Sequence, residues 1–400
     1  MNQALSHLRV LDLSRVLAGP WATQLLADLG AEVIKIERPQ VGDDTRGWGP
    51  PFVCDSEGQP SDAAYYLCAN RGKKSVTLDI TQPRGQEIIR QLVQSCDVLV
   101  ENYKVGGLKK YGLDYDSLRE INPRLVYCSV TGFGQTGPYA SLPGYDYIVQ
   151  GMSGLMSVTG PADGEPHKVG VAVTDLFTGM YASSAILAAL AARDQTGVGQ
   201  HIDLALFDCA VAMLANVNMN YLVGGKTPPR LGNGHPNIVP YQVFSAADGH
   251  FILACGNDAQ FVRVLDLLGL SALATDARFA RNADRVANRD ALIPVLAQAF
   301  SGHSREHWLA ALDAAGVPAG PINTIDEAFA DPQIQARQMQ ISLDRDGVAI
   351  PQVACPIRLS GTPIVYESAP PMLGGHTQEV LRNLGLSDVQ IGALHNDGIV

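Results

Sequence analysis

The residue with the clearest chemical potential is a single acid, Asp175, at the start of an apolar run. Small and apolar residues lead to it from Gly170, and helix-forming residues occupy almost every position after it as far as Ala192. Aspartate is a preferred N-cap residue, and the positive end of a helix stabilises its carboxylate. One interpretation is therefore structural: Asp175 only caps a buried helix. The other is chemical, because an aspartate can act as a covalent nucleophile when the leaving group is good, as in a thioester.

Several other catalytic patterns do not fit this sequence. Gly30 does not begin a G-x-G-x-x-G fingerprint, and we find no P-loop, no G-x-S-x-G elbow and no H-E-x-x-H motif. The 9 His residues are not clustered, and the 7 Cys residues are scattered without a C-x-x-C pair. We therefore predict no metal site, reduced thiols and a cytoplasmic location, since the start of the chain also lacks a signal-peptide pattern.

Length and charge narrow the classes of partner. A chain of 400 residues exceeds a typical single core, so two domains are expected. Its net charge of −11 argues against nucleic acid and against an anionic membrane as partners. No uncharged apolar run looks long enough to span a bilayer; residues 176–192 come closest. In a chain this acidic, the few Lys and Arg residues at a site would indicate where an anionic ligand binds.

The segments around Asp175 alternate between strands and helices. Strand patterns occur at 8–14, 31–37, 74–80, 97–103, 125–131 and 199–206, and helical patterns at 21–29, 83–94, 116–122, 144–156 and 208–223. This order predicts an α/β domain with an open doubly wound, Rossmann-like parallel sheet. Ligands bind such sheets beyond the carboxyl ends of the strands, which places residues 15–19 and Arg38 at the expected rim.

The pattern changes after residue 223. Residues 224–240 are rich in Gly, Pro and Asn, and 242–254 read as a hairpin that turns at Asp248-Gly249. Helical patterns follow at 258–268, 289–300 and 304–315, and a terminal helix is expected at 377–384. We therefore predict a large α/β domain made of 1–223 and 330–400, with a smaller α+β domain at 224–329.

Several short motifs follow one another along the chain. They are Arg15-Val-Leu-Ala-Gly-Pro-Trp-Ala-Thr23, Gly30-Ala-Glu-Val-Ile-Lys-Ile-Glu-Arg-Pro39, Asn70-Arg-Gly-Lys-Lys-Ser75, Val100-Glu-Asn-Tyr103, Ser129-Val-Thr-Gly-Phe-Gly134, Gly144-Tyr-Asp146, Asp175 with Gly179, and Leu373-Gly-Gly-His-Thr377. Each motif is weak alone, but together they cover essentially the whole chain. In this order they resemble the class III CoA-transferases, the family of formyl-CoA and carnitine CoA-transferases.

The resemblance implies that Asp175 is a nucleophile. Its carboxylate would attack an acyl-CoA thioester to give an aspartyl anhydride, and CoA would return to form an aspartyl-CoA thioester. An acceptor acid would then take the CoA, so coenzyme A enters as a substrate, and neither metal, ATP nor a nucleotide redox cofactor is needed. The resemblance also implies a homodimer whose two chains interlock.

The resemblance further implies which residues contact CoA. Arg38 and Lys110 would meet its phosphates, and Tyr145 and Asp146 would line the thioester end, although basic residues can simply be solvated and Tyr145 and Asp146 can simply begin a helix. The full set is Val16, Leu17, Ala18, Arg38, Leu78, Asp79, Ile80, Thr81, Asn102, Tyr103, Lys104, Lys110, Tyr145 and Asp146.

Departures from the formyl-CoA transferases bear on the acceptor acid. Leu17 replaces their Gln, Pro143 replaces a basic residue, and 231–238 replaces their glycine-rich loop. Residues 42–53, 127–137 and 238–242 most resemble members that use succinyl-CoA and glutarate, although itaconate, citramalate, malate and mesaconate stay open. We expect a loop near the acceptor and a cation for its far carboxylate. The loop residues are Gly232, Asn233, Gly234 and His235, and the candidate cations are Arg46, Arg71, Lys104 and His235.

Two other functions remain possible at this point. An acyl-CoA racemase of the same fold would need an acid–base pair at the α-carbon, commonly a His with an Asp, and residues 144–151 contain no His. A non-catalytic acyl-CoA-binding protein would need Asp175 only as a helix cap. An Asp175→Asn variant separates the cap from the nucleophile, because Asn still caps a helix but cannot attack.

Overall fold

The computed structural model describes residues 3–55 and 57–400, and these form two compact units. The first unit contains the chain up to Ser153, Gly170–Met213 and Pro332–Val400. The second contains Gly154–Val169 and Leu214–Asp331. The N-terminal part and the C-terminal segment thus share one unit. The boundaries differ from the expected ones, because 154–169 and 214–223 group with the second unit.

The elements follow each other closely along the chain. The strands are β1 (Arg9–Asp12), β2 (Glu32–Glu37), β3 (Phe52–Cys54), β4 (Pro60–Ala63), β5 (Lys73–Thr77), β6 (Val98–Glu101), β7 (Val126–Thr131), β8 (His201–Ala205), β9 (Tyr241–Ala246), β10 (Gly249–Ala254), β11 (Ala319–Pro321), β12 (Gln340–Arg345) and β13 (Val348–Val353). The helices are α1 (Ala18–Asp28), α2 (Ala64–Leu67), α3 (Pro83–Val93), α4 (Tyr115–Arg119), α5 (Asp146–Met152), α6 (Leu155–Val158), α7 (Val173–Thr196), α8 (Leu206–Met213), α9 (Ala215–Gly224), α10 (Asp258–Leu267), α11 (Asn282–Ala287), α12 (Arg289–Phe300), α13 (Arg305–Ala314), α14 (Ile325–Ala330), α15 (Pro332–Ala336), α16 (Thr377–Asn383) and α17 (Asp388–Asn396).

Six parallel strands form the central sheet of the first unit, in the order β5-β2-β1-β6-β7-β8. Counted along the sheet's own strands, this is the doubly wound order 3-2-1-4-5-6. The predicted fold class is therefore confirmed. The order reverses direction between β1 and β6, which pair through Val10–Val98 and Leu11–Leu99. A crevice is expected beyond the carboxyl ends of these two strands.

Both faces of this sheet are buried, because successive side chains alternate between them. On β6, Leu99 joins one apolar cluster while Val98 and Val100 join the other. Helix α3 and the C-terminal helices α16 and α17 cover the first cluster, and α1 and α7 cover the second. The C-terminal segment thus completes the core beneath one face of the sheet.

Helix α7 carries Asp175 and is a core helix of this unit. It packs along α1 through a buried stripe that includes Gly179, Ala182 and Ile186. A Cβ on Gly179 would lie 2.7 Å from the backbone oxygen of Ala18, so only glycine allows this close approach. By length and composition alone α7 is apolar enough to cross a membrane, although its ends carry the charged residues Asp175, Arg193 and Asp194. Its buried stripe accounts for part of this apolar character.

The second unit has its own core around a three-stranded sheet. Strands β9 and β10 form the predicted hairpin, and β11 pairs with the other edge of β10. Helices α10, α12 and α13 occur where the helical patterns predicted them. The single helix expected at 208–223 is wrong, because α8 ends at Met213 and Ala215 has a φ of 41°, outside the right-handed helical region.

The second unit also contains a fully buried arginine, Arg285. Its guanidinium donates to the backbone oxygens of Val239 (2.7 Å) and Phe279 (3.0 Å) and to the Asp258 carboxylate (2.7 Å). It also lies over the ring of Phe261, 4.3 Å from the centroid. One side chain therefore ties the segment before β9 to α10 and α11.

We predict that Arg285→Lys destabilises the second unit by about 2–4 kcal/mol, because an ammonium cannot satisfy acceptors arranged for a planar guanidinium. Hydrogen exchange of the amides in β9 and α10 would measure this as lost protection. The control is Arg263→Lys, an exposed arginine on α10, for which we expect less than about 0.5 kcal/mol. Equal protection in the two variants would contradict the role of Arg285.

Candidate active site

Asp175 lies in the first turn of α7, two residues after the helix begins at Val173. It does not cap the helix, because Asp146 at the start of α5 takes that role. One carboxylate oxygen of Asp146 accepts hydrogen bonds from the Thr174 N–H (2.8 Å) and hydroxyl (2.5 Å), and a long one from the Asp175 N–H (3.4 Å). Asp175 is therefore not the N-cap of α7, and its role as a nucleophile stays a prediction.

The Asp175 carboxylate is left without a hydrogen-bond donor among residues 3–55 and 57–400, and it is partly buried. Burial raises the pKa of Asp175 to about 7, and the negative charge of Asp146 adds to this rise. A carboxylate that is unpaired and poorly solvated is more basic and more nucleophilic than one in water. A raised pKa at the wall of a cavity makes Asp175 a candidate for a catalytic group.

Asp175 lines a cavity of about 550 Å³ at the carboxyl edge of the sheet. The turn after β1 forms one wall and the segment after β6 forms another, so the cavity lies at the reversal of strand order. Of the predicted CoA contacts, seven line it together with Asp175: Val16, Leu17, Ala18, Asn102, Tyr103, Lys104 and Tyr145. Asp146 is not among the lining residues; it contacts the backbone N–H groups of Thr174 and Asp175 instead.

A second cavity of about 340 Å³ is lined by the remaining predicted CoA contacts except Asp146. Tyr103, Lys104 and Arg15 line both cavities. Its other predicted contacts are Arg38, Leu78, Asp79, Ile80, Thr81 and Lys110. The structure thus brings predicted contacts from six separate stretches of sequence to adjoining parts of one edge of the sheet.

The cations of these cavities differ in their partners. Arg15 and Arg38 both bind Asp44, at 2.6 and 3.2 Å, so an anionic ligand would compete with that carboxylate. Lys110 lies over the ring of Tyr111, 4.6 Å from its centroid. The Lys104 ammonium makes no ion pair within the described part of the chain. Unlike Arg15 and Arg38, Lys104 could therefore bind an anionic ligand without breaking an existing ion pair.

Two of the expected acceptor-binding cations, Arg46 and Arg71, line neither of these two cavities. Arg46 is buried, and its guanidinium is bound by Glu37, Asp62, the Tyr66 hydroxyl and the backbone oxygen of Pro371. Arg71 is likewise buried against Asp28 and the backbone oxygen of Val353. The expectation that Arg46 holds a substrate carboxylate is corrected: it is a structural cation within the first unit.

The other expected acceptor residues lie in the second unit, between α9 and β9. Gly232 has a φ of 58°, which favours glycine, and Gly234 donates its N–H to the backbone oxygen of Leu231. The His235 ring accepts from the Asn237 N–H at 3.1 Å and lies 5.2 Å from the Tyr241 ring. For Gly232, Asn233, Gly234 and His235, a place near the acceptor stays a prediction.

Two aromatic residues at the site were not predicted. Trp48 lines the cavity of Asp175, and its ring meets the edge of the Tyr65 ring at 5.3 Å. Burial raises the pKa of Tyr65 to about 12, and the charge of Asp175 contributes. The signal in the sequence was weak: Trp48 is the aromatic residue in the Gly/Pro-rich segment 42–51.

One glycine pattern at the site needs interpretation. Gly132–Gly137 has the spacing G-x-G-x-x-G and follows β7, but a loop rather than a helix comes next. It therefore lacks the context of a dinucleotide fingerprint. Gly132 instead packs against Gly144, where an added Cβ would lie 2.5 Å from the Gly144 Cα. This close contact closes the loop that carries residues 140–145 of the cavity wall.

Comparison with known proteins gives one consistent result. A family model described as CoA-transferase family III matches residues 5–377. The succinate–glutarate CoA-transferase of Agrobacterium fabrum is 55% identical over 381 residues, 95% of each chain. The human succinyl-CoA:glutarate CoA-transferase is 44% identical over 398 residues, 99% of this chain and 90% of the human one.

A solved structure matches as well. The crystal structure of a CaiB/BaiF family protein from Brucella suis superposes with a TM-score of 0.84 at 53% sequence identity. The match covers 96% of this chain and 100% of that one. Sequence and fold thus point to the same relatives over nearly the full length.

We predict that one aspartate carboxyl titrates near pH 7, by ¹³C NMR with aspartate-selective carboxyl labelling, and that its signal is missing in Asp175→Asn. In Asp146→Asn a negative neighbour is removed, so the Asp175 midpoint should move to lower pH while burial keeps it above 3.8. Asparagine is also a good cap, so the helix start is retained.

The matched control for this titration is Asp116→Asn, which removes an exposed charge on α4 and should leave the midpoint unchanged. A spectrum in which all aspartates titrate below pH 5 would contradict the raised pKa of Asp175.

Proposed function

The chain belongs to CoA-transferase family III, and from that membership we propose that it moves CoA from succinyl-CoA to glutarate or a closely related dicarboxylate. The donor and acceptor follow the names of its relatives at 55% and 44% identity. The single observation that carries the chemistry is Asp175: a partly buried carboxylate with a raised pKa, facing a cavity whose other walls are the expected CoA contacts.

The two adjoining cavities suit the two ends of an acyl-CoA. Arg38 and Lys110 in the smaller cavity would bind the phosphates of the nucleotide end, and the pantetheine arm would pass Tyr103 and Lys104, which line both. The thioester would then lie beside Asp175 in the larger cavity. The net charge of −11 makes these local cations important for an anionic substrate.

The proposed reaction begins when an Asp175 oxygen attacks the thioester carbonyl carbon. The C–S bond breaks, giving an acyl-aspartyl anhydride and CoA thiolate. The thiolate attacks the Asp175 carbonyl carbon, which releases the donor acid and leaves an aspartyl-CoA thioester. The acceptor carboxylate displaces CoA thiolate to form a second anhydride, and the thiolate attacks the acceptor carbonyl. Asp175 is regenerated as a carboxylate, and each C–O or C–S bond broken is matched by one formed.

The surroundings of Asp175 support this role. A hydrogen-bond donor on the Asp175 oxygens would stabilise the ionised carboxylate and make it a weaker nucleophile. None of the described residues supplies such a hydrogen bond. Its position in a cavity next to the expected thioester site gives the proximity that turns attack into an effectively intramolecular step. Lys104 lines this cavity and has no ion pair with residues 3–55 or 57–400, and we assign it to an anionic group of the bound substrates.

We also propose a homodimer, because the first unit exposes several large apolar side chains on its helices. Tyr147, Ile148 and Met152 are exposed on α5, and Met180 and Tyr181 on α7. A patch of this kind is typical of a protein interface. Light scattering after size exclusion should give a mass twice that of one chain, and Ile148→Glu should shift it toward one. A wild-type mass of one chain at micromolar concentration would contradict the dimer.

The covalent step is tested by intact-protein mass spectrometry after incubation with succinyl-CoA, with hydroxylamine as a trap. We expect an adduct that peptide mapping places at Asp175 and that is missing in Asp175→Asn. Turnover should fall by about a thousandfold or more, since Asn cannot attack. Glutarate should discharge the adduct faster than a monocarboxylate of similar size.

Stability provides the control for this experiment. The folded pKa of Asp175 lies above its ordinary value, so its ionisation costs stability as pH rises through about 7. Asp175→Asn removes that cost, so its melting temperature at pH 8 should equal or exceed that of the wild type. Loss of activity together with lower melting would mean a structural role. An unmodified wild type that exchanges the α-proton of a branched acyl-CoA for deuterium would replace the transferase by a racemase.

A further inference from the structure

The turn between β1 and α1 contains a strained residue. Val16 has a φ of 69°, a conformation that a β-branched residue rarely adopts. It lines the cavity of Asp175, between Arg15 and Leu17. Strain of this kind persists only when the surrounding structure holds the backbone in place, and it is concentrated at ligand sites.

Hydrogen bonds hold this turn at each residue from Ser14 to Val16. Ser14 donates its N–H to Asp12, at 2.9 Å. Asn102 accepts from the Arg15 N–H (3.0 Å) and donates to the Arg15 carbonyl (2.7 Å). The Val16 N–H donates to both carboxylate oxygens of Asp43, at 3.2 Å each. The strained residue is thus held directly by Asp43.

Asp43 is in turn held by a lysine from the neighbouring strand. The Lys35 ammonium lies 2.9 Å from Asp43 and also donates to the Ser14 carbonyl at 2.8 Å. Both side chains of this pair are fully buried. Lys35 therefore contacts the start of the turn directly and its strained residue through Asp43. Thr45 completes the arrangement by donating its N–H and hydroxyl to Oδ1 of Asp43, while Lys35 binds Oδ2.

We propose that the buried Asp43–Lys35 pair is a positioning device for acyl-CoA, which keeps the Val16 turn in its ligand-binding conformation before the ligand arrives. The proposal rests on the proposed function, in that acyl-CoA is the ligand of this cavity. Asp43 and Lys35 are positioning residues, since they act through the backbone of Val16.

The expected effect follows from the equilibrium of the turn. Without the pair, Val16 relaxes toward negative φ, and the fraction of protein with the binding conformation falls. The apparent dissociation constant then rises in inverse proportion to that fraction. Glycine adopts positive φ at little cost, so a Val16→Gly substitution removes the need for the device. The effect of Asp43 should therefore depend on which residue occupies position 16.

The experiment is a double-mutant cycle on Asp43→Asn and Val16→Gly. Calorimetry gives the dissociation constant for CoA, and steady-state rates with succinyl-CoA give KM and kcat. In the Val16 background we expect Asp43→Asn to raise both the dissociation constant and KM about tenfold, with kcat changed less than about twofold. In the Val16→Gly background the same substitution should raise them less than about threefold.

A matched control is Asp28→Asn, which breaks a buried ion pair with Arg71 elsewhere in the first unit. It should lower the melting temperature without raising the dissociation constant for CoA. If Asp43→Asn alone does not fold, combining it with Lys35→Met removes both charges together, which buried sites tolerate better. The same comparison across the two backgrounds then applies.

The outcomes separate the device from the function. An equal effect of Asp43→Asn in both backgrounds would overturn the proposal, since Asp43 would then act on the ligand or on the whole fold. So would an effect confined to kcat. A wild type that binds CoA tightly but transfers none would overturn the proposed transferase reaction, while the calorimetric cycle would still test the positioning device.

Discussion

The carboxyl edge of the central sheet has to open between β1 and β6, because the chain leaves these neighbouring strands toward opposite sides. This constraint of a doubly wound sheet creates the crevice before any particular side chain is considered. Asn102, just after β6, bonds both backbone groups of Arg15, just after β1, and so fixes the distance between the two departing segments. The cavities, their cations and the first turn of α7 are all placed relative to this edge.

Two carboxylates of the first unit differ in their charged neighbours. Asp12, in β1, lies beside two lysines: burial alone would raise the pKa of Asp12, but Lys73 and Lys35 outweigh this effect and hold that pKa at about 2. Asp175 instead has a like-charged neighbour in Asp146, and burial together with that charge raises its pKa to about 7. Glu101, at the end of β6, likewise has no cationic partner among the described residues, and burial raises its pKa to about 7 as well.

Much of this arrangement could be predicted from the sequence, because strand runs and family motifs are local. The sheet, the β9–β10 hairpin and the identity of the family followed from them. Contacts between distant residues could not be predicted: Arg46 looked like a free cation, yet it is bound by Glu37, Asp62 and the backbone of Pro371. The cap of α7 comes from Asp146, 29 residues before Asp175. No Gly or Pro marks the break between α8 and α9 at Leu214, so its cause is not local in the sequence.

The hydrogen bonds of Asp146 have a consequence for the proposed reaction. Its carboxylate accepts from the Thr174 N–H and hydroxyl, and these bonds hold it close to Asp175. In the proposed mechanism, acylation of Asp175 or its conversion to a CoA thioester would remove one of two neighbouring negative charges. The free enzyme would then be the state with the greater electrostatic repulsion, and relief of that repulsion would offset part of the free energy needed to form the anhydride.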